Sequence, residues 1–231
     1  MSIPIDSNGD TSFWYKETVE ICKHLGIAMI SESPHKFHFR FWATDNRIID
    51  VWKGADNSHH ASVAFWAVKC HNGRIQRRLY YQFRDLDSAT AERLASSIYT
   101  SDIKSIPTDY SIKRWNEYKV LGGICYNIEI AEDDHYSFKE YDNPRNRENI
   151  PDARTIQNFI DTLDKQLNID TLWDSFYKSI PFKYPLIAGY ISLNNKGSHQ
   201  KFNVLVEKRK TNKNNRNNAI ELKPHEKNRS Q

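Results

Sequence analysis

A strict alternation of side chains over residues 36–42 constrains the fold of this 231-residue chain more than any other feature of its sequence. Phenylalanines alternate there with polar or amphipathic residues, in the order Phe37, His38, Phe39, Arg40, Phe41 and Trp42. Only a period of two, the period of a β-strand, places the phenylalanines on one face and the other residues on the opposite face. The pattern therefore predicts a strand, and the Asp45-Asn46 turn predicts a hairpin with a second strand over Ile48–Lys53.

A second hairpin is predicted around Asn72-Gly73, because both residues tolerate the positive φ angles of a type I′ turn. Its first strand, Ser62–Cys70, is apolar on both faces, which predicts a central position in the sheet. Its second strand, Arg74–Arg84, alternates between an apolar face and a polar face, which predicts that the polar face lies in water. The residues of that polar face are Arg74, Gln76, Arg78, Tyr80, Gln82 and Arg84.

Two further hairpins and three helices complete the predicted fold. Alternating apolar residues predict the hairpins, over Tyr118–Ile130 with Tyr136–Tyr141 and over Leu186–Leu193 with Phe202–Val206. Apolar residues spaced three and four apart predict the helices, over Ser12–Leu25, from a Ser88 cap to Ile98, and from Pro151 to Pro181 with an interruption at Asn168–Asp170. Hairpins separated by helices indicate an α+β fold, with a mainly antiparallel sheet packed by an N-terminal helix, a short middle helix and a long interrupted C-terminal helix.

The positive net charge of the chain, +4, is concentrated at its C-terminus. Residues 207–231 contain eight Lys or Arg, three Glu and no aromatic residue, a net charge of +5 that leaves −1 for residues 1–206. A segment so rich in Asn and Lys buries too little apolar surface to order itself. The sequence thus predicts one α+β globular domain over residues 1–206, followed by a basic, mobile tail over residues 207–231.

No part of the sequence resembles a signal for secretion or for membrane insertion. The N-terminus lacks a basic segment followed by an apolar one, and the longest apolar runs are far shorter than a membrane span requires. The three cysteines form no C-x-x-C pair and lie among apolar residues, so we expect buried free thiols rather than disulfides or a zinc site. We therefore expect a cytoplasmic protein without a membrane span.

Aromatic residues make up 13% of the chain and supply its main candidate for function. Trp and Tyr are enriched in recognition surfaces, which favours a non-catalytic protein that binds a protein or peptide partner through an aromatic-bearing sheet face. The candidate binding residues are Arg40, Trp42, Trp66, Arg78 and Tyr80. An alternative arrangement buries Trp42 under the long C-terminal helix, with the arginine stems covering apolar surface.

Nucleic-acid binding is a second hypothesis. Arginines on the sheet face, together with Lys208, Arg209 and Lys210 of the tail, are able to neutralise phosphates, and Tyr80 or Trp42 to stack on bases. The tail itself has no aromatic residue for stacking, so it would act through its charge alone. This hypothesis predicts an affinity that falls steeply with salt.

A third hypothesis is catalytic. Pro107-Thr-Asp109, followed by Glu117-Tyr-Lys119 on a predicted strand, resembles the signature of the PD-(D/E)xK nuclease superfamily. The resemblance covers about a dozen residues, and the acid-x-Lys tripeptide occurs twice more, from Asp102 and from Glu221. It implies that Asp109 and Glu117 hold Mg²⁺ while Lys119 orients the attacking water.

The remaining motifs indicate no metal or cofactor. His35 and His38 lie three residues apart on an extended segment, and His59-His60 are adjacent, so neither pair converges on one ion. The acidic run around Glu132 lacks the glycine that a calcium loop needs. Hydrolase-elbow, dinucleotide and phosphate-loop motifs are absent from the sequence, so we expect neither a cofactor nor a bound metal.

Overall fold

The computed structural model describes residues 2–5, 9–71, 74–117, 124–183, 185–187, 190–191 and 217–221. These residues form four α-helices and nine β-strands, with short 3-10 turns in several connections. In chain order the elements are α1 (Phe13–Leu25), β1 (Phe37–Ala43), β2 (Arg47–Lys53), β3 (His59–His71), β4 (Arg74–Asp85), α2 (Ser88–Thr100), β5 (Cys125–Glu132), β6 (His135–Asp142), α3 (Pro151–Leu167), α4 (Ile169–Ser179), β7 (Pro185–Ile187), β8 (Tyr190–Ile191) and β9 (Asn217–Glu221).

The strands form one sheet in the order β6-β5-β1-β2-β3-β4-β9, and each of these neighbours pairs antiparallel. Strand β7 pairs with β3 at Val68 and Lys69, beyond the end of β2, and β8 pairs with β7. Strand β3 lies inside the sheet, as its two apolar faces predict, and β1 lies inside it as well. The predicted fold class, α+β with a mainly antiparallel sheet, is confirmed. Among the described residues, no helix is both long enough and apolar enough to cross a membrane.

The larger hydrophobic core lies between one face of the sheet and helices α2, α3 and α4. The phenylalanines of β1 point into it, and Phe39 packs edge to face against Phe159 of α3 at 5.9 Å between ring centroids. The predicted apolar stripes of the helices supply the other side, with Leu94 and Ile98 from α2 and Phe176 from α4. The alternation over residues 36–42 therefore places its phenylalanines in the core as predicted.

The opposite face of the sheet is covered by α1. Cys22 and Leu25 of this helix pack with Trp42, Trp66 and other sheet residues in a second, smaller core. The helix begins where Ser12 Oγ accepts a hydrogen bond from the Tyr15 N–H, and it ends at Gly26, which adopts the left-handed conformation with φ 66°. Trp42 is thus buried under α1 and not, as the alternative arrangement has it, under the C-terminal helix.

Strand β4 corrects a prediction, because its polar face is not uniformly in water. Tyr80 stacks on Phe176 of α4 at 5.8 Å between ring centroids, and its hydroxyl donates a hydrogen bond to Ser179 Oγ at 3.1 Å. Arg78 on the same face is exposed, whereas Arg84 is half-buried. The alternation identifies the two faces of a strand, but it does not show where a helix almost a hundred residues later comes to rest.

Several boundaries also differ from prediction. Asp87, not Ser88, caps α2, because its carboxylate accepts the Thr90 N–H at 2.8 Å. The strand predicted from Tyr118 begins at Cys125, and the strand predicted over Leu186–Leu193 is instead the short pair β7 and β8. The Asn72-Gly73 turn, residues 118–123 and Phe202–Val206 lie outside the described residues.

The predicted division into a domain and a tail is untested for most of residues 207–231, which lie outside the described residues. Asn217–Glu221 is the exception, because it forms β9 and pairs with β4 in the register Leu79 to Ile220. The boundary between residues 206 and 207 stays a prediction.

Candidate functional site

The predicted binding residues divide between the two faces of the sheet. Arg40 and Trp42 of β1 and Trp66 of β3 lie under α1, with only 3%, 3% and 7% of each residue exposed. Tyr80 lies on the opposite face, against α4. Arg78 is exposed on that same opposite face of β4. The five residues therefore do not form one exposed patch, since strand periodicity sends Trp66 and Tyr80 to different sides of the sheet.

A cleft of about 310 Å³ lies between α1 and the sheet face that carries Trp42 and Trp66. We call it the tryptophan cleft, because Trp14 of α1 adds a third indole ring to these two. The ring planes of Trp42 and Trp66 stand at 77° with centroids 6.4 Å apart, so the two indoles form a corner. The described residues that line the cleft are Trp14, Glu17, Thr18, Ile21, Trp42, Ala43, Thr44, Asn46, Trp66 and Asn127.

Helical and strand periods bring these residues together. The spacing of Trp14, Glu17, Thr18 and Ile21 places them on one side of α1, as neighbours three and four apart. Antiparallel pairing of β1 with β5 sets Trp42 directly opposite Asn127. The cleft is therefore built from four segments of the chain: α1, β1 with the turn after it, β3 and β5.

Asn127 is the most informative polar residue of the cleft, because it is only 3% exposed and poorly bonded. Its Oδ1 has a long contact, 3.9 Å, with Cys125 Sγ, and its Nδ2 has no hydrogen-bond partner within the described part of the chain. The Oδ1 contact is a weak hydrogen bond from the Cys125 thiol, so most of the hydrogen-bonding capacity of this amide is unused in the free protein. Such a side chain in a cavity wall points to a ligand.

The two tryptophans of the sheet are held rigidly. The Trp42 indole N–H donates to Glu129 Oε2 at 2.6 Å, and the Tyr136 hydroxyl donates to Glu129 Oε1 at 2.7 Å. The Trp66 backbone is bonded twice to Asn46, through its N–H at 3.2 Å and its carbonyl at 3.0 Å. The corner is therefore formed before anything binds in it.

A buried ion pair lies beside the cleft. Arg40 donates to both oxygens of Asp50, at 2.6 Å and 3.1 Å, and also to the Ala28 carbonyl at 2.9 Å. Burial raises the pKa of Asp50, but the neighbouring Arg40 and His38 lower it by more, so that it lies below its ordinary value. Burial raises the pKa of Glu129, against the effects of Arg40 and its two hydrogen-bond donors. Arg40 therefore supports the fold around the cleft rather than offering a free charge to it.

Histidines cluster beyond the ion pair on the same sheet face. His38 Nδ1 lies 2.9 Å from Ser33 Oγ, and His38 Nε2 lies 3.5 Å from Asp50 Oδ1. This serine, histidine and aspartate chain does not form a nucleophilic triad, because His38 Nε2 has no hydrogen-bond partner in the part of the chain that the structure describes and is therefore not bonded to Asp50. Among the described residues, no group of three His, Cys, Asp or Glu side chains is placed to hold a metal ion.

The residues of the nuclease hypothesis are not arranged as that hypothesis expects. Glu117 lies in the 3-10 turn Trp115–Glu117, not on a strand, and it pairs with Arg114 at 2.9 Å. Asp109 Oδ2 accepts the Asp142 N–H at 2.9 Å, and burial raises the pKa of its carboxyl. Lys119 lies outside the described residues, as do Lys208, Arg209 and Lys210 of the basic tail.

The sequence predicted two residues of the cleft, Trp42 and Trp66, and did not predict that the other lining residues join them. Trp14 was visible as a member of the α1 stripe, but nothing local showed that this stripe faces Trp42. A local signal for Asn127 exists in the sequence, because a polar residue within a strand of buried residues requires a partner.

Comparison with known proteins gave no match, since no family model, no curated protein and no solved structure resembles the chain. Function is therefore inferred from the residues of the cleft.

Proposed function

We propose that this protein is a non-catalytic binding protein that takes a side chain of a protein or peptide partner into the tryptophan cleft. One observation carries the proposal: three indole rings and the weakly bonded Asn127 amide line one cavity of about 310 Å³. This volume is at the lower end of the range for ligand sites, so it suits one side chain better than a large cofactor. Tryptophan is also the residue type most enriched among the energetic centres of protein interfaces.

The rigidity of the walls supports the same proposal. The hydrogen bonds of Trp42 to Glu129 and of Asn46 to the Trp66 backbone fix the corner in the free protein. A preformed pocket loses little side-chain entropy on binding, so more of the contact energy contributes to affinity.

The proposed site contains only some of the binding residues that the sequence predicts. Trp42 and Trp66 stay as binding residues, whereas Tyr80 and Arg78 belong to the opposite face and are left out of the site. Arg40 becomes a residue that positions Trp42, with its guanidinium carbon 5.7 Å from the ring centroid.

The proposal includes a cytoplasmic location. Cys22, Cys70 and Cys125 are all buried and unpaired, a state that a reducing compartment preserves.

Peptides selected from a displayed library against the purified protein test the proposal. The variant Glu17→Trp fills the mouth of the cleft from α1, and Lys16→Trp places the same bulk on the opposite side of the helix. We expect selected peptides to bind Glu17→Trp at least about tenfold more weakly, a loss of about 1.4 kcal/mol, and Lys16→Trp nearly as tightly as the parent. Equal affinity for all three proteins would show that the partner binds elsewhere.

Nucleic-acid binding and Mg²⁺-dependent hydrolysis remain hypotheses that rest on the sequence. The placement of Glu117 in a 3-10 turn gives the nuclease hypothesis no added support. Tyr80 is covered by α4, so the surface that nucleic-acid binding would use lacks this stacking ring and retains the exposed Arg78.

A further inference from the structure

We infer that the group bound in the tryptophan cleft is an alkylammonium cation, either a methylated lysine side chain or a quaternary ammonium head group of a free small molecule. This inference rests on the proposed function of the cleft and specifies the chemistry that the cleft recognises.

The rings supply the first argument. Of all aromatic side chains, tryptophan attracts a cation over its ring most strongly, and cages of several aromatic rings are the usual site for quaternary ammonium groups. Trp14, Trp42 and Trp66 line one cavity, and the 77° angle between the last two makes a corner that surrounds a compact group on two sides.

Charge supplies the second argument. Glu17 is the one charged residue among the described residues that line the cleft, and neither Lys nor Arg is among them. Glu129 lies behind Trp42, and Glu140 stands opposite Asn127 in the pairing of β5 with β6. The nearby Arg40 is matched by Asp50. The described residues that line the cleft thus include one acidic side chain and no basic one, which favours a positive ligand.

Size supplies the third argument. Trp42 and Trp66 expose only 3% and 7% of their surfaces, so each presents a narrow strip to the cavity rather than a broad face. A methylated ammonium on a slim alkyl chain fits such strips better than a second aromatic ring does. Ile21 and Ala43, which also line the cleft, provide apolar contacts for the alkyl chain.

The Asn127 amide is compatible with a cation that still carries an N–H. Its oxygen and nitrogen are interchangeable by rotation of the side-chain amide, and neither has a strong partner in the free protein. Rotation would turn Oδ1 into the cleft as an acceptor for a mono- or dimethylated ammonium, while a quaternary ammonium needs only the rings and the negative charge.

A comparison of choline with its uncharged carbon isostere, 3,3-dimethyl-1-butanol, separates the contribution of charge to affinity from the contribution of shape. Titrations of the full chain are followed by the indole N–H signals of its tryptophans in NMR spectra, with Trp14→Phe and Trp66→Phe variants to assign them. We expect choline to shift the signals of the cleft tryptophans and to bind at least about tenfold more tightly than the isostere. The variant Glu17→Gln should weaken choline binding about two- to fivefold, as for an exposed ion pair, and leave binding of the isostere unchanged.

Peptides that differ in a single residue, trimethyllysine, lysine or norleucine, distinguish the two sources of the ligand. Tighter binding of the trimethyllysine peptide than of free choline, and its loss in Glu17→Trp, would support a methylated protein partner. Choline binding with no binding of any peptide would support the cation chemistry and a free small molecule, and it would overturn the proposed recognition of a protein partner.

Two outcomes would overturn the cation inference. Equal binding of choline and its isostere, or equal binding of the norleucine and trimethyllysine peptides, would leave a side-chain pocket without charge selection, so the proposed function would survive alone. If no probe shifted the cleft signals and no selected peptide were sensitive to Glu17→Trp, both proposals would be wrong.

Discussion

The two faces of the sheet bury very different chemistry. On one face, three helices cover the sheet and meet it mainly with aliphatic and aromatic side chains, and the buried Arg47, which pairs with Asp164 of α3 at 2.7 Å, is a charged exception. On the other face, the single helix α1 covers only part of the sheet, and buried charges such as Arg40, Asp50 and Glu129 lie there with the tryptophan cleft. Helix α1 has only 13 residues, so polar groups and a cavity occupy the part of this sheet face that the helix does not reach. The face covered by one helix is therefore the face on which this cavity remains.

The largest expected effect concerns the fully covered face. The variant Phe39→Ala removes a ring that is wholly buried beneath α3, and we expect the free energy of unfolding to fall by about 4 kcal/mol. Phe83→Ala is the matched change on the α1 face, where Phe83 is only half-buried, and we expect a loss of about 1 to 2 kcal/mol. Urea denaturation measures both values. Similar losses on the two faces would contradict the contrast in coverage.

The next effect tests the buried ion pair. In Asp50→Asn, Arg40 loses its charged partner while it stays buried, and we expect a loss of about 3 kcal/mol in the free energy of unfolding at neutral pH. The double variant Arg40→Met with Asp50→Leu should cost less than Asp50→Asn, because it leaves no uncompensated charge. If the double variant were less stable than Asp50→Asn, the ion pair would add net stability to the fold, and would not merely offset the cost of burying its two charges.

The pH dependence of this effect has a defined sign. The folded pKa of Asp50 lies below its ordinary value of 3.8, so its contribution to stability is present above that value and is lost as the pH falls through the folded pKa. The stability difference between the parent and Asp50→Asn should therefore shrink in acid, as measured by urea denaturation at a series of pH values. A constant difference down to the acid limit would contradict the assignment.

A third change compares one tryptophan on each face. Trp42→Phe removes the N–H that donates to the buried Glu129, and we expect a loss of about 1 to 3 kcal/mol because the carboxyl keeps only its Tyr136 donor. Trp173 on α4 packs against Phe65 and Phe176 by ring contacts, so Trp173→Phe should cost under about 1.5 kcal/mol. Thermal unfolding measures the pair, and a smaller loss for Trp42→Phe than for Trp173→Phe would count against the role of the Glu129 bond.

The smallest effect concerns the independence of α1. Gly26 ends this helix at φ 66°, and an added Cβ there meets no atom within 4 Å, so Gly26→Ala should cost about 1 kcal/mol through backbone strain alone. Because α1 and α3 pack on opposite faces of the sheet, the backbone amides of α1 should exchange faster in this variant, and those of α3 should not. The exposed change Lys23→Ala in the same last turn is the control, and we expect it to leave exchange nearly unchanged. Equal acceleration in α1 and α3 would show that the two faces open together.

Much of the fold was predictable because its signals are local. Each of three signals depends on the backbone preferences of a few neighbouring residues. They are the alternation over residues 36–42, the end of α1 at Gly26 and the break at Asn168, where φ is 49°. Two of the errors share one cause, since the polar face of β4 and the strand over Leu186–Leu193 depend on elements that are distant in the chain. The Asp87 cap of α2 is instead a local error, one residue from the predicted Ser88.

The candidate site was predictable only in part. The sequence predicted Trp42 and Trp66 as candidate binding residues, together with Tyr80, which lies on the other face. It did not connect them with Trp14 and Asn127, because a period of two or of 3.6 residues assigns a side chain to a face without identifying the element that meets it.

By itself, then, the sequence determined which segments are strands and helices and which side chains share a face, because those properties follow from backbone geometry and hydrophobic spacing. Only the tertiary structure decided which face each helix covers, and thus which polar groups are buried and where a cleft remains. The pairing of Trp42 with Asn127 brings together residues 85 positions apart, and α1 packs over them to complete the cleft. Such contacts depend on the whole chain reaching its most favourable packing, which no local pattern encodes.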